Sequence, residues 1–461
     1  MDSHPTSNTV AQRHRNVIII CVDDLRFDAA GYTGNPYIQT PHLDALAARS
    51  VRFSNAFTTL AICSPSRAAL LTGRYGSANG VTKLDVSLLP NESTFAHSLR
   101  EAGYRTGLVG KWHLGNSPQE CGFEDTVYFQ SNGSYYNRSV LEHGTQKNIA
   151  QHIESYNAQQ AVAFMERSVQ DDTPFLLFLC PQLPHLDHQH QWDAREETLV
   201  QYANVDIPVP TSWNDDLSGK PPYLKNSRSH VKAIKDYGYD RADRVQQHAR
   251  EYYAVITDLD AAIGEVLRAV DEMDLRGETL IVMMSDHGWL LGEHRLTSKV
   301  LPYEESMRVP LLISAPGIAP RGEERLVLNI DVMPTILEWA GLPEAANLHG
   351  RSLLPLMRGE PVNWRDSFFY EAPQQELGVQ PNFAVRNQQW KYIQTFSEDV
   401  LQEEMPLPIF EELYNLREDP YEMSNLIMTS EYQEVTEQLK VDLECHRRSL
   451  QKTQQSEGVN L

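Results

Sequence analysis

The stretch NVIIICVDD, residues 16 to 24, decides the fold, because six apolar residues run directly into two aspartates. Three further runs have the same form: Thr106 to Val109 before Gly-Lys-Trp-His, Phe175 to Cys180 before Pro181 and His185, and Leu280 to Met284 before Ser-Asp-His-Gly. Short runs that are apolar on both faces predict strands of a buried parallel sheet.

Helical patterns lie between these predicted strands. Ser93 is placed as the N-cap of a helix that runs to about Glu101 and stops at Gly103, and an apolar stripe at helical spacing runs from Ile256 to Val270. Alternating strands and helices predict an α/β fold with a doubly wound, mostly parallel sheet flanked by helices. Ligands bind such folds beyond the carboxyl ends of the strands, where the polar clusters fall.

The change in sequence pattern along the chain predicts two structural units. We expect a catalytic α/β domain over residues 16–364 and a smaller C-terminal α+β subdomain over 365–461, with an antiparallel sheet and a helix. Within the first unit, residues 184–245 form a long Pro- and His-containing insertion. Insertions of this length are usually functional, so we expect this one to form a substrate rim.

The charge balance restricts the partners. The chain has 461 residues with 40 Lys+Arg against 62 Asp+Glu, a formal net charge of -22. This excess argues against nucleic acid or an anionic membrane surface as a partner. Because the chain is acidic overall, an anionic substrate would need a local cluster of positive charge.

No stretch approaches the roughly 18 apolar residues of a membrane span.

Cysteine usage and the first residues bear on the compartment. The five cysteines are scattered without a CxxC pair, which favours reduced thiols. Residues 1–15 are polar and lack the apolar segment of a secretory signal. The chain as written is therefore predicted to be cytoplasmic, or periplasmic or secreted if a leader has been removed. No feature of the sequence indicates an oligomeric state.

The sharpest local signal is CSPSR, residues 63–67, followed by AALLTGR to Arg74. Ser64 suits an N-cap and Pro65 the first helical position, which places Cys63 just before a helix N-terminus. There the helix dipole would activate a thiol or hold an anion. A lone cysteine is more often a buried inert residue, but Cys-x-Pro-Ser-Arg arises by chance only about once in a thousand chains of this length.

Two strand ends carry a candidate metal site. Asp23, Asp24, Asp286 and His287 offer three carboxylates and an imidazole. Three hard oxygen donors favour Ca²⁺ over Zn²⁺, and the imidazole leaves Mn²⁺ open. Either acidic pair taken alone is more typical of solvated turn residues.

A rival metal site is a zinc cluster of His185, His188 and His190. Their spacings of three and five residues do not fit a helical pair of ligands. A loop that faces the substrate is the preferred interpretation of these histidines.

The chain resembles the type I sulfatases of the alkaline phosphatase superfamily. The resemblance rests on CSPSR with LLTGR and extends through VDDLR, TPHLDALA, KWHLG, SDHGWLLGEH and ELYNLREDPYEMSNL. It implies that Cys63 is converted after translation to formylglycine (3-oxoalanine) by a formylglycine-generating enzyme. VDDLR and SDHGWLLGEH are most similar to iduronate-2-sulfatase-like members, which is a hint about the substrate.

The resemblance also assigns roles to individual residues. It implies that one Ca²⁺ ion is held by Asp23, Asp24, Cys63, Asp286 and His287. It implies that Lys111, Lys299 and His185 bind the sulfate group, with His185 as general acid. It implies that His113 and Arg67 contact the formylglycine side chain, with Arg74 as a support.

The function so implied is hydrolysis of a sulfuric ester of a carbohydrate. One oxygen of the hydrated aldehyde attacks sulfur while His185 protonates the leaving alcohol, and His113 then helps to remove a proton from the second hydroxyl. Phosphonate monoester or phosphodiester hydrolysis on the same scaffold is an alternative, because His287 is shared with such enzymes. A non-catalytic carbohydrate-binding relative is another, although its expected mark, loss of the cysteine, a lysine or a metal carboxylate, is not seen.

Overall fold

A computed structural model describes residues 16–401 and 406–457 of the chain. The leader prediction concerns residues 1–15, which lie outside this range. The strands are β1 Asn16–Val22, β2 Val51–Phe57, β3 Arg105–Lys111, β4 Asp125–Phe129, β5 Arg138–Glu142, β6 Thr145–Ile149, β7 Phe175–Cys180, β8 Thr279–Ser285, β9 Leu290–Leu291, β10 Thr297–Ser298, β11 Arg308–Ser314, β12 Arg321–Glu323, β13 Val327–Leu328, β14 Ser367–Ala372, β15 Asn382–Asn387, β16 Trp390–Thr395 and β17 Phe410–Asn415. The α-helices are α1 Pro41–Ala48, α2 Cys63–Thr72, α3 Gly76–Asn79, α4 Phe95–Glu101, α5 Ile153–Gln170, α6 Glu196–Tyr202, α7 Arg228–Lys235, α8 Ala242–Glu272, α9 Glu304–Met307, α10 Val332–Trp339, α11 Leu354–Arg358, α12 Glu398–Leu401 and α13 Gln433–Glu457.

A large, mostly parallel sheet forms the centre of the molecule. Its order in the described residues is β12-β2-β11-β8-β1-β7-β3-β4-β5-β6, with β13 also paired to β2. The five strands β8, β1, β7, β3 and β4 are mutually parallel, whereas β11, β5 and β6 pair in antiparallel fashion. The four apolar runs of the sequence are β1, β3, β7 and β8, so the predicted fold class is confirmed.

The alternation of side chains along β1 explains why every residue of this strand is buried. Ile18 and Ile20 pack into one core with residues of α5 and α8, and Val17 and Ile19 pack into another with residues of α2, α4 and α10. A strand covered by helices on both faces must be apolar throughout. Polar side chains can follow only where the strand leaves the sheet.

A second, antiparallel sheet forms near the C-terminus, in the order β14-β15-β16-β17, and α13 packs against it. It contacts the central unit directly, since the Phe57 and Phe368 ring centroids are 4.7 Å apart. The boundary predicted at residue 364 falls between α11 and β14. None of the helices in the described residues has the length and apolar character needed to cross a membrane.

Two predicted helix starts are wrong by one or two residues. The N-cap of α4 is Thr94 instead of Ser93, because the Thr94 hydroxyl accepts from the His97 backbone N–H at 3.3 Å. Helix α2 begins at Cys63 itself, with Ile62 as N-cap. Ser64 lies inside the first turn and its hydroxyl donates to the His113 carbonyl, so a tertiary contact replaces the expected cap.

The segment 184–245 is more ordered than its composition indicates. It contains α6 and α7 and ends within the first turn of α8, which starts at Ala242. The apolar stripe expected from Ile256 onward belongs to this longer helix.

Candidate active site

The candidate metal ligands leave the sheet side by side. Strands β1 and β8 are parallel neighbours with Val22 aligned to Ser285, and the Asp286 N–H donates to the Val22 carbonyl at 2.9 Å. Asp23 and Asp24 therefore emerge beside Asp286 and its neighbour in sequence. Parallel pairing alone brings residues more than 260 positions apart to one edge.

Cys63 lies at this edge, at the first residue of α2. Its Sγ is 3.3 Å from His287 Nε2, 3.4 Å from Lys299 Nζ, 3.5 Å from Asp23 Oδ1 and 3.6 Å from Lys111 Nζ. Burial, followed by the Asp23 charge, raises the pKa of the Cys63 thiol. An unmodified thiol is therefore protonated here, contrary to the activation expected at a helix N-terminus.

Each of the three carboxylates has a buried cationic partner. The pairs are Lys111 with Asp23, Lys299 with Asp24 at 2.6 Å, and Arg67 with Asp286 at 3.0 Å. Such pairs fix geometry more than they stabilise the fold, because desolvation of the ions offsets the attraction. Arg67 also donates to the Lys111 carbonyl at 2.8 Å, so its hydrogen bonds orient neighbours of Cys63.

His185 reaches the site from the loop that follows β7. Its Nε2 is 3.6 Å from Asp24 Oδ2, and its Nδ1 is 2.7 Å from the Leu186 carbonyl. Burial, followed by the Lys111 charge, holds the pKa of His185 well below its usual value. The imidazole is therefore neutral before a substrate anion arrives.

His113 follows β3 and has a left-handed backbone conformation, with φ 62°. Burial and the Lys111 charge lower the pKa of His113 to about 2. Its Nε2 is 3.6 Å from a carboxylate oxygen of Asp85. The imidazole of His113 is therefore neutral before a substrate anion arrives.

The donor set fits a divalent cation. Asp23, Cys63, Asp286 and His287 each place one ligand atom within 4.8 Å of the others. The Oδ2 atom of Asp24 is buried without a hydrogen-bond partner in the described structure, and burial raises the pKa of this carboxyl to about 7. Additional positive charge would relieve both features. Hard carboxylate oxygens are the ligands that Ca²⁺ prefers.

A cavity of about 330 Å³ lies beside Cys63. Cys63, His113, His185, Trp289 and Lys299 all contribute to its lining. Its volume is at the lower end of the range for small-molecule sites. The candidate nucleophile, both histidines and one lysine thus face the same space.

Other predicted residues lie elsewhere. Arg74 follows the far end of α2, a helix about 15 Å long, and pairs with Glu92. His188 Nδ1 is 3.1 Å from the Ser134 hydroxyl. Within the described ranges, His185, His188 and His190 do not form a metal-ligating group, so the zinc alternative has no support.

Two residues that position the site had no signal in the sequence. The Glu154 carboxylate accepts from the Gln182 N–H at 2.6 Å and the Leu183 N–H at 3.0 Å, which holds the loop that carries His185. Tyr370, on β14, accepts from the Ala61 N–H at 3.1 Å. A glutamate inside a helix and a tyrosine inside a strand carry no local mark of these roles.

The chain matches two family models. Residues 15–342 match the sulfatase family, and residues 292–449 match the family of the C-terminal region of N-sulphoglucosamine sulphohydrolase.

Several characterised proteins are similar over nearly the whole chain. An N-acetylglucosamine-6-O-sulfatase of Bacteroides thetaiotaomicron is 28% identical, over 93% of this chain and 85% of that protein. An ulvan-active sulfatase of Formosa agariphila is 28% identical, over 93% of this chain and 80% of that protein. A multifunctional alkaline phosphatase superfamily protein of Trinickia caryophylli is also 28% identical, over 89% of this chain and 91% of that protein.

Solved structures share the fold. A protein in complex with its substrate D-glucosamine-2-N,6-O-disulfate superposes with a TM-score of 0.85 at 25% identity, over 95% of this chain and 98% of that one. A phosphonate monoester hydrolase of Silicibacter pomeroyi superposes with a TM-score of 0.76 at 21% identity, over 94% and 95%, and shows likeness of fold alone.

Proposed function

Since this chain belongs to the sulfatase family and is a hydrolase of sulfate esters, we propose that its substrate is a sulfated carbohydrate. We further propose that residue 63 acts in the formylglycine form and that a Ca²⁺ ion binds beside it. Formation of that residue requires a formylglycine-generating enzyme as partner. The amino-sugar substrate of the superposed complex and the similarity to an N-acetylglucosamine-6-O-sulfatase support a sulfated sugar.

One observation carries the proposal: Cys63 Sγ lies within 3.6 Å of the ammonium groups of Lys111 and Lys299. A buried, protonated thiol is a weak nucleophile for sulfur. Formylglycine at this position would supply a hydrated aldehyde oxygen as nucleophile. A tetrahedral sulfate bound to residue 63 would bring its negative oxygens close to both lysine charges.

The carboxylates of Asp23, Asp24 and Asp286, with His287, would hold Ca²⁺. The ion would supply a positive charge that polarises the nucleophilic oxygen. The chain's own residues provide the rest of the site. Lys111 and Lys299 bind the anion, and their charges favour the additional negative charge of the transition state.

His185 and His113 are assigned to proton transfer. His185 faces the cavity, and its Nδ1 is held by the Leu186 carbonyl, which orients the ring. A bound sulfate ester brings negative charge next to His185, which raises the pKa of the imidazole and favours its protonation. The protonated ring then donates to the departing alcohol. The same anion also raises the pKa of His113, which then accepts a proton from the side chain of residue 63.

The test uses protein made together with an active formylglycine-generating enzyme. Sulfate release is measured for a panel of sulfated sugars, and rates on matched aryl sulfate and aryl phosphonate esters are compared. We expect turnover of at least one sulfated sugar and an aldehyde at residue 63 by mass spectrometry of its tryptic peptide. A Cys63→Ala variant is the matched inactive control.

Three outcomes would contradict the proposal. Full activity in protein whose Cys63 peptide is entirely an unmodified thiol would show that formylglycine is not required for activity. Faster turnover of the phosphonate ester would favour the phosphonate hydrolase. If protein that carries the aldehyde releases no sulfate from any member of the panel, a non-catalytic carbohydrate-binding function would be favoured. The similarity to iduronate-2-sulfatase stays a prediction that the same panel tests.

A further inference from the structure

One wall of the active-site cavity carries two positive charges in addition to those of the lysines that bind the sulfate. We call the residues that carry them, Arg228 and Lys232, the cationic wall. Arg228 and Lys232, both on α7, line the same cavity as Cys63 and Lys299. They are four residues apart, so they lie on one face of the helix. Asp85 is the one acidic residue among the described residues of the lining. The cavity wall is thus net positive in a chain with a formal charge of -22.

Neither cation makes a direct ion pair in the described residues. The Asp236 charge acts on Lys232, but burial and the Arg228 charge outweigh it and lower the pKa of Lys232. Within the part of the chain that the structure describes, Arg228 and Lys232 have no ion pair and no side-chain hydrogen bond. Arg228 is exposed, and Lys232 is partly buried with its Nζ 5.2 Å from the centre of the Tyr237 ring. Their field reaches across the cavity: after burial, Lys232 and Arg228 are the next causes that lower the pKa of His190, another lining residue.

The position of this wall relative to Lys299 is fixed by hydrogen bonds. Ser229 donates from its hydroxyl to the Thr297 carbonyl and accepts from the Thr297 N–H at 3.2 Å. Thr297 is two residues before Lys299. The first turn of α7 and the sulfate-binding lysine are therefore held at a constant separation.

The C-terminal subdomain supports α7 from another side. Gly378 has φ 78°, and a Cβ atom on it would lie 2.8 Å from the Arg228 Cβ. The chain packs closely against the base of the Arg228 side chain here, and Arg228 lines the cavity. Because the helix that carries both cations is held from two sides, less ordering of the backbone is needed when they bind an anion.

Building on the proposed function, we propose that Arg228 and Lys232 bind a second anionic group of the substrate, a carboxylate or a sulfate. A cavity of about 330 Å³ holds little more than one sugar ring, so this group lies on the sugar whose sulfate ester is cleaved. The preferred substrates are thus dianionic sugars.

The experiment measures inhibition constants of sugars against hydrolysis of nitrophenyl sulfate, which carries a single charge. One pair is glucosamine-2-N,6-O-disulfate against N-acetylglucosamine-6-sulfate, which reports a second sulfate. The other pair is a 2-sulfated uronate against the corresponding 2-sulfated hexose, which reports a carboxylate. For the wild type we expect the dianion of at least one pair to bind about tenfold more tightly than its partner.

The double variant Arg228→Gln/Lys232→Gln should bring that ratio to about one. Lys235→Gln is the matched control, because Lys235 lies on the same helix, is exposed and is not part of the cavity lining. It should keep both the ratio and the rate of nitrophenyl sulfate hydrolysis.

Ratios near one in the wild type, or a ratio unchanged in the double variant, would overturn this assignment while the sulfatase activity stands. Absence of sulfate release from nitrophenyl sulfate and from every sugar would instead contradict the proposed function. An unchanged circular dichroism spectrum and an unchanged rate of nitrophenyl sulfate hydrolysis show that the double variant remains folded.

Discussion

The Tyr370 hydroxyl, on the C-terminal sheet, donates a 2.6 Å hydrogen bond to the carbonyl of Val300, the residue after Lys299. The same hydroxyl accepts from the Ala61 N–H at 3.1 Å, two residues before Cys63. Val300 has φ 79°, a conformation that β-branched residues rarely adopt, and its N–H donates to the Ala61 carbonyl at 3.0 Å. One buried tyrosine thus joins the segments that carry the nucleophile and the sulfate-binding lysine.

Tyr370→Phe should lower both stability and activity. Loss of the hydroxyl leaves a buried carbonyl and N–H without a partner, at a cost of about 1–3 kcal/mol in the free energy of unfolding. Release of the strained Val300 should move Lys299 and lower kcat/KM about tenfold or more. Tyr75→Phe is the matched control, since that hydroxyl donates to the Phe369 carbonyl away from the cavity lining. Equal kcat/KM in the two variants would rule out a positioning role.

Replacement of His185 by Gln should depend on the leaving group. Esters of sugar alcohols need a proton on the departing oxygen, whereas nitrophenolate leaves with little help. We expect kcat on a sulfated sugar to fall by about 10²–10⁴-fold and kcat on nitrophenyl sulfate to fall far less. Steady-state kinetics on both substrates check this. An equal loss on the two would make His185 a binding residue only.

Removal of the divalent cation should abolish activity and lower Tm. Without it, the buried carboxylates of Asp23, Asp24 and Asp286 lose part of their charge compensation. Ca²⁺ at 100 times its dissociation constant should restore about 2.7 kcal/mol of stability. Scanning calorimetry during titration of chelated protein with Ca²⁺ measures this. Asp23→Asn should lose the response and exposed Asp216→Asn should keep it, so a response in Asp23→Asn would argue against the ligand set.

Glu154 should make stability fall as pH rises. Burial raises the pKa of this carboxyl to about 7, against 4.5 in the unfolded chain. Between these values the folded chain binds the extra proton, so the contribution is present below pH 4.5 and is lost by pH 7, by up to about 3 kcal/mol. Glu154→Gln should flatten this part of the profile in urea unfolding from pH 4.5 to 8. Exposed Glu101→Gln serves as control, and an unchanged slope in Glu154→Gln would refute the assignment.

Cys63→Ser should complete one chemical event and then stop. A serine hydroxyl keeps the place of the nucleophile but has one oxygen, so a sulfated serine has no second hydroxyl from which to expel sulfate. Intact-mass analysis after incubation with substrate should show a stable sulfate adduct and no steady turnover. Cys445→Ser, at an exposed cysteine, should turn over like the wild type. Sustained turnover by Cys63→Ser would mean that the aldehyde is not needed.

The sequence by itself determined the sheet and the edge at which the chemistry takes place. Runs such as Val17 to Val22 are apolar on both faces, and only the interior of a parallel sheet buries both faces of a strand. Residues that directly follow such strands, such as Asp24 and Asp286, must then collect at one edge. The importance of Cys63 could also be predicted from the sequence, because its motif is contiguous and marks the start of a helix.

Only the tertiary structure decided which distant groups complete the site. Tyr370 meets residues 70 and 309 positions away along the chain, and α7 reaches the cavity through its bonds to Thr297. The prediction that Ser64 is an N-cap was also wrong, because its hydroxyl donates to the carbonyl of His113 in another loop. Periodicity records which face of an element is buried, whereas the partner across a packed interface depends on how whole elements dock.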